Sequence, residues 1–262
     1  MTKTSKKIKI LIIGLPGSGK TTLAKDLSRE LNCDWINADN IRKKFKDWDF
    51  SKDGVLRQAS RMKTLADKSR KNFLIADFIC PYEEGRKIFN PDYLIWMNTI
   101  KKGRLSTFDK TFQKPKKYDF CIKDKNSKLW AIKIANKLAR YKWNNKKPTI
   151  QMLGRYQPFH KGHLKLFEKI LTKTGQVCIQ IKDVHRDNDN PFNFIKVKNF
   201  INKKLLPLYK NRYKILLVPN ISKICYGRTV GYEFEKISIS KKIHNISATK
   251  IRKKMRKEGK LK

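Results

Sequence analysis

Negative charge is scarce in this chain: 22 Asp and Glu stand against 63 Lys and Arg, a formal net charge of +41 over 262 residues. Arginine is scarce too. Only 14 of the basic residues are Arg, and the lysines are spread along the whole chain. Nucleic-acid readers favour Arg, whose planar fork grips phosphates and base edges bidentately. Dispersed Lys beside abundant Asn and Ile reads as compositional bias, so no nucleic-acid partner is expected, while anionic small substrates stay compatible with the charge. The five cysteines (33, 80, 121, 178, 225) lie far apart with no C-x-x-C pair. That argues against a disulfide framework or a zinc knuckle and for reduced thiols in a cytosol. Long apolar runs are missing as well. The opening "MTKTSKKIKILIIGLPGSGK" imitates the basic and apolar regions of a signal peptide, but "ILIIGL" is too short and runs into a glycine-rich loop. No later run approaches membrane-spanning length. The expectation is a cytoplasmic protein without a membrane partner; its oligomeric state is not legible.

What is present argues for folded material, with 39% hydrophobic residues and 11% aromatics. The length suits one large domain or two modest ones. In the first half, short apolar runs of strand length, "KIKILIIG" (7–14), "NFLIADFI" (72–79) and "DYLIWMN" (92–98), alternate with helix-like stretches at Lys20 to about Leu31, 55–71 and 127–141. Such alternation predicts parallel strands covered on both faces. The polar stretch "RYKWNNKKP" (140–148) then reads as a linker. Beyond it the pattern restarts with strands at 149–154, 176–182 and 213–219 and helices at 161–173, 193–205 and from about Ser247. The expected fold class is α/β in two tandem domains, 1–143 and 149–262, joined at 144–148. The five tryptophans, all in the first half or linker, read mostly as core or interface residues.

Two motifs carry chemistry. The first is Gly14-x4-Gly19-Lys20-Thr21, a complete G-x-x-x-x-G-K-[ST] placed after a strand and before a helix. Its glycines, with Gly17 and Ser18, let backbone N–H groups turn inward around phosphate, and the helix N-terminus adds positive potential. Lys20 is expected on the β- and γ-phosphates of ATP, with Thr21, followed by Thr22, offering its hydroxyl to Mg²⁺. "WINADNIRKKF" (35–45) puts Asp39 and Arg42 just past a short strand beside this loop. "IADFICPYEEGR" (75–86) puts Asp77 and Pro81 at the end of the next strand, with Asp77 a second candidate for Mg²⁺.

Together these stretches resemble adenylyl-sulfate kinases over about residues 8–140. Asp39, Asn40 and Arg42 match the family's Asp-Asn-x-Arg, and Phe78, Ile79 and Pro81 match its Phe-Ile-Ser-Pro, with Cys80 in place of the serine. The resemblance implies a P-loop kinase fold and transfer of the γ-phosphoryl group of ATP to the 3′-hydroxyl of adenylyl sulfate. It implies Asp39 near that hydroxyl and Arg42, Arg61, Phe78 and Pro81 around the acceptor. The sequence departs from the family at "GVLRQASR" (54–61), which keeps little beyond Arg61, and in a shortened lid at 101–115, where Arg104 and Lys110 are available to close on phosphates.

The second motif opens at "LGRYQPFHKGHLKLF" (153–167). Gly154 and Arg155 sit in a loop after a strand, and His160 and His163 enter a helix, three apart and so on one face. Gly162 between them leaves room for a phosphate. Zinc is the competing reading of two helical histidines, but no Cys or Glu lies close enough in sequence to complete a set. Near the end, "ISATKIRKKM" (246–255) offers Ser247 and Thr249 at a helix start and Arg252 one turn on. The pair resembles the nucleotidyltransferase superfamily with H-x-G-H and I-S-x-T-x-x-R motifs. The wording "GRYQPFHKGH" and "NPF" (190–192) is closest to archaeal-type nicotinamide-nucleotide adenylyltransferases. This implies a Rossmann-like HUP-type domain, attack of a substrate phosphate on the α-phosphorus of a nucleoside triphosphate, and release of pyrophosphate. His160 and His163 would then contact the α- and β-phosphates, and Ser247, Thr249 and Arg252 the β/γ oxygens. Arg228, with Tyr226 and Tyr232, is an acceptor candidate, and His185 and Arg186, in the segment after the second strand of this half, are phosphate-contact candidates or solvated loop residues. The leading expectation is a bifunctional enzyme acting on small phosphorylated acceptors. The alternatives are a nicotinamide-nucleotide adenylyltransferase with an accessory nucleoside-kinase-like domain, or a non-catalytic basic nucleotide-binding protein.

Overall fold

The computed structural model describes residues 7–184, 187–225, 227, 231, 233–238 and 246–261. The chain divides into two compact units, 1–135 and 136–262. This division falls near the end of a helix, ahead of the polar stretch at 140–148.

The first unit is built on five parallel strands: β1 (Ile8–Gly14), β2 (Asp34–Asn37), β3 (Phe73–Asp77), β4 (Tyr93–Met97) and β5 (Phe120–Ile122), in the order β2-β3-β1-β4-β5. The helices are α1 (Lys20–Leu31), α2 (Ala38–Phe45), α3 (Lys52–Lys68), α4 (Glu83–Phe89), α5 (Ser106–Thr111) and α6 (Ser127–Leu138). The central strand β1 is fully buried from Ile10 to Ile13. This is why its side chains do not alternate: covered on both faces, each isoleucine or leucine contributes about 1.5–3 kcal/mol by leaving water. Register sets the site. Pairing of β1 with β3 brings Ile12 opposite Asp77, and pairing of β2 with β3 brings Asn37 opposite the same Asp77. Three strand ends therefore meet beside the loop that follows β1.

The second unit holds a three-stranded parallel sheet in the order β6-β7-β8, from β6 (Ile150–Gly154), β7 (Val177–Lys182) and β8 (Tyr213–Val218). The crossovers are α7 (Lys161–Thr174) and α8 (Phe194–Tyr209), and α9 (Ala248–Lys257) closes the chain. The strand β7 is central and alternates buried with partly buried residues, Val177, Ile179 and Ile181 pointing inward. Pro207 lies inside the last turns of α8, which runs past the expected end at 205. Ser247 is the N-cap of α9, its hydroxyl accepting from the Lys250 amide at 3.2 Å.

Candidate functional site

In the first unit the motif Gly14–Thr21 wraps the N-terminus of α1. Gly14, Gly17 and Gly19 all have positive φ (150°, 85° and 93°). A Cβ on Gly14 would lie 2.6 Å from the Met97 carbonyl oxygen, so neither conformation nor space admits a side chain there. Lys20 is buried, and its ammonium donates to the Leu15 carbonyl at 3.0 Å. Burial lowers its pKa to about 8 despite the opposing pull of Asp77 and Asp39.

Asp77, only 1% exposed, is the hub. Its Oδ2 accepts from the Thr21 hydroxyl at 2.8 Å and its Oδ1 from Trp35 Nε1 at 2.6 Å, while Asn37 Nδ2 donates to both oxygens. Burial pushes this carboxyl upward, and the donated hydrogen bonds pull it back toward the ionised form. The Thr21 hydroxyl and Asp77 carboxylate together form an all-oxygen donor pair at the mouth of the phosphate loop, the chemistry a hard cation such as Mg²⁺ takes. Trp35 and Asn37 were not foreseen as part of this centre. Their only signal was position on β2, opposite the strand that ends in Asp77.

A cavity of about 700 Å³ opens above these groups. It is lined by Gly17, Gly19, Lys20, Thr21, Thr22, Asp39, Arg42, Asp77, Phe78, Pro81 and Arg104 among others, so most of the expected kinase residues do share one space. Ser18, within the loop, is fully buried. Two expectations are redirected. Arg42 does line the cavity, but its Nη1 donates to the carbonyls of Asp47 and Asp49 at 3.1 and 2.8 Å, and its guanidinium stacks 4.7 Å from the Phe50 ring. Arg61 is not among the lining residues. It pairs with Asp47 at 2.6 Å and covers the Phe45 ring. Trp48 is not core: 53% exposed, it lines the cavity beside Phe50. Cys80 is buried with φ 43°, and burial raises its thiol to about 12, which leaves it without nucleophilic character.

In the second unit His160 is the N-cap of α7. Its Nδ1 accepts from the Gly162 amide at 3.1 Å, and its own amide donates to His163 Nδ1 at 3.3 Å. The rings stack with centroids 3.8 Å apart. A ring nitrogen that accepts carries no proton, so each neutral imidazole holds its proton on Nε2 and presents a donor there. Tyr156 and Phe159 enclose His163, their centroids at 5.1 and 5.4 Å. The same Tyr156 ring would lie 2.8 Å from a Cβ on Gly154, which accounts for that glycine.

Burial lowers the pKa of His160, and burial with the smaller influence of His160 pushes His163 down to about 3. The unfolded histidine takes a proton below about 6.5. Between that pH and about 3 the unfolded chain therefore binds more protons, and stability falls as pH drops through this window. Hydrogen exchange of the α7 amides at pH 7, 5 and 4 is expected to accelerate beyond the intrinsic rate change. Substitution His163→Phe should flatten that trend; an unchanged trend in the variant would place its cause elsewhere.

Arg252, 5% exposed, donates to the Gln157 carbonyl at 2.8 Å, to Asp189 at 2.5 Å and to the Thr249 hydroxyl at 3.3 Å. Its Nε is buried without a partner. Arg155 is exposed and reaches Asn190 Oδ1 at 3.4 Å. The Gln157 side chain grips Phe192, donating to its carbonyl at 2.8 Å and accepting from its amide at 3.0 Å. Residues near both ends of the second unit, Gln157 and Arg252, are thus tied together. Among the described residues no group of three or more His, Cys, Asp or Glu is arranged to hold a metal. Arg228, Tyr226, Tyr232, His185 and Arg186 lie outside the described residues. No helix among those described is long and apolar enough to cross a membrane.

Residues 10–78 match a family model described as an AAA domain. Among solved structures, the chain is similar to an APS kinase of Mycobacterium tuberculosis in complex with AMPPNP and APS, at 18% identity and TM-score 0.45, over 51% of this chain and 98% of that one. It is also similar to a shikimate kinase from Acinetobacter baumannii in complex with shikimate, at 16% identity and TM-score 0.39, over 51% of this chain and 94% of the other. A gluconokinase from Sinorhizobium meliloti gives 13% identity and TM-score 0.37 over 50% and 95%. The motif, its strand-loop-helix setting and the family match make the N-terminal unit a nucleotide-binding P-loop domain of α/β fold.

Proposed function

We propose that the chain is a transferase carrying two phosphorus chemistries, an ATP-dependent kinase in the first unit and a nucleotidyltransferase in the second. What supports the kinase reading is the shared cavity in which Lys20, Thr21, Asp77 and Asp39 meet. Lys20 and the loop amides would hold the β- and γ-phosphates of ATP, and Arg104, packed on Gly17, would cover them. Thr21 and Asp77 would hold Mg²⁺, which neutralises charge on the phosphoryl oxygens. Asp39, solvent-exposed in the first turn of α2, would orient the attacking hydroxyl and take its proton. The matches at Asp39–Arg42 and Phe78–Pro81 make adenylyl sulfate the reference acceptor.

The nucleotidyltransferase reading, on a Rossmann-like HUP-type domain spanning about 149–262, rests on the paired Nε2 donors of His160 and His163 and the unpartnered Nε of Arg252. These would stabilise negative charge on the α-, β- and γ-phosphates while a substrate phosphate attacks the α-phosphorus. The "NPF" segment makes nicotinamide mononucleotide the reference acceptor. Both activities are tested in one assay that counts ADP and pyrophosphate separately, with each common ribonucleoside triphosphate and both reference acceptors. ADP release supports the kinase and pyrophosphate release the nucleotidyltransferase. Neither product from any combination would favour a non-catalytic nucleotide-binding protein.

A further inference from the structure

Three consecutive residues of the second unit each give one oxygen to a different arginine. The Asn188 carbonyl accepts from Arg256 Nη2 at 2.7 Å, Asp189 Oδ1 from Arg252 Nη2 at 2.5 Å, and Asn190 Oδ1 from Arg155 Nη1 at 3.4 Å. The arginines come from two distant places. Arg155 follows β6, while Arg252 and Arg256 stand four apart, on one face of α9. Asp187 organises the turn that presents these oxygens. Its Oδ1 accepts from the amides of Asp189 and Asn190 at 2.8 and 2.7 Å, and from Asn190 Nδ2 at 3.0 Å. Asn190 is 6% exposed and two residues ahead of Phe192, which Gln157 clasps, so it anchors the segment.

The hold on Arg252 is incomplete. Its side chain is 6% exposed and that of Asp189 71%, so the carboxylate lies on the solvent side of the guanidinium. Nη2 serves Asp189 and Thr249, yet Nε, on the same edge of the fork, is buried without a partner. An edge of this kind grips a phosphate with two parallel bonds. Asp189 supplies only one of them. A phosphate group, with several free oxygens, is the better occupant once the carboxylate that covers the edge has moved aside.

We propose that residues 188–190 stand in for the outer phosphates of a nucleoside triphosphate, and that Asp189 gives way to those phosphates on binding. Asp189 is then a specificity-determining residue of the second site. It competes with ligands that reach Arg252 and not with those that stop short of it. This rests on the nucleotidyltransferase reading above, which puts the β/γ oxygens at Arg252. A triphosphate must break the Asp189–Arg252 pair before it gains the arginine. A monophosphate held at His160 and His163 leaves that pair in place.

The test titrates ATP or AMP, with Mg²⁺, into the full chain carrying Lys20→Ala, which removes the ammonium of the first site. Hydrogen exchange is read in peptides 158–165 and 187–194, so the second site is followed separately from the phosphate loop. ATP should protect 158–165 and, over the same concentrations, speed exchange in 187–194; AMP should leave 187–194 unchanged. Adding Asp189→Asn, which keeps the shape and removes the charge, should lower the ATP midpoint about fivefold, the upper scale for one exposed ion pair. Asp189→Ala, which removes the contact altogether, should lower it at least as far. Asp183→Asn, a charge removed after β7 without a contact to Arg252, should leave the midpoint within about twofold. A higher ATP midpoint in both Asp189 variants would make Asp189 a support for Arg252 and overturn the inference. An unchanged midpoint would overturn it too, as would equal tightening in Asp183→Asn, the mark of a general charge effect. Each of these leaves the nucleotidyltransferase reading intact. If ATP protects 158–165 in none of the proteins, the inference and that reading fail together.

Discussion

Lys20→Ala abolishes ADP release and leaves pyrophosphate release at the wild-type rate: this is the expected result of the first substitution to make. Lys20 is the one ammonium inside the phosphate loop, and its burial means its charge is poorly screened by water. Removing a preorganised charge of this kind lowers kcat by about 10²–10³ or more. The variant should fold. The native ammonium is held against a desolvation penalty, visible in its pKa of about 8 against 10.5, and alanine releases that penalty. Its melting temperature is expected to equal or exceed wild type. The same depressed pKa predicts that ATP binding at pH 8 draws a proton onto Lys20, read as a binding enthalpy that varies with the ionisation enthalpy of the buffer. Loss of both products in a folded Lys20→Ala variant would mean that the two chemistries are not separate.

The second large effect is expected at His163. His163→Phe should eliminate pyrophosphate release, a loss of about 10²–10³-fold, while ADP release persists. Phenylalanine is the informative choice because His163 sits in a ring box with Tyr156, Phe159 and His160. Alanine would open a void there and mix packing with chemistry; Phe keeps a ring and deletes the Nε2 donor. The wild-type rate should show no inflection from His163 between pH 5.5 and 8, because its pKa of about 3 keeps it neutral throughout. Retained pyrophosphate release in His163→Phe would show that the histidine pair is only a helix cap.

What could be read in advance follows from how local each feature is. The phosphate loop was legible because its glycines, Lys20 and Thr21 fall within eight residues and need no partner to be recognised. Asp77 was legible because it ends an apolar run. Arg42 lines the cavity, but its engagement had no signal in the sequence: a motif position cannot reveal that the carbonyls of Asp47 and Asp49 turn back onto it. Trp48 is the exception among tryptophans read mostly as core or interface: in the connector between α2 and α3, it is 53% exposed and lines the cavity. Gln58, nearly two turns into α3, carried no signal in sequence; only the missing partner of its Oε1 marks it. In the second unit the His160–His163 pair was legible from its spacing of three. The tie from Arg252 to Asp189, 63 residues apart, was not, since nothing local in either stretch encodes it.

The hydrogen bonds on Asp77 also bear on how such a protein can change over generations. Thr21, Trp35 and Asn37 all close on the one carboxylate, so altering any of them strands a buried partner. Drift at the centre is therefore penalised wherever it begins. Trp48 has no such tie: exposed at the cavity rim, it is a position where replacement leaves no buried polar group without a partner. A chain built this way keeps the carboxylate centre fixed while the shape of the cavity rim is free to wander, so the rim changes before the centre.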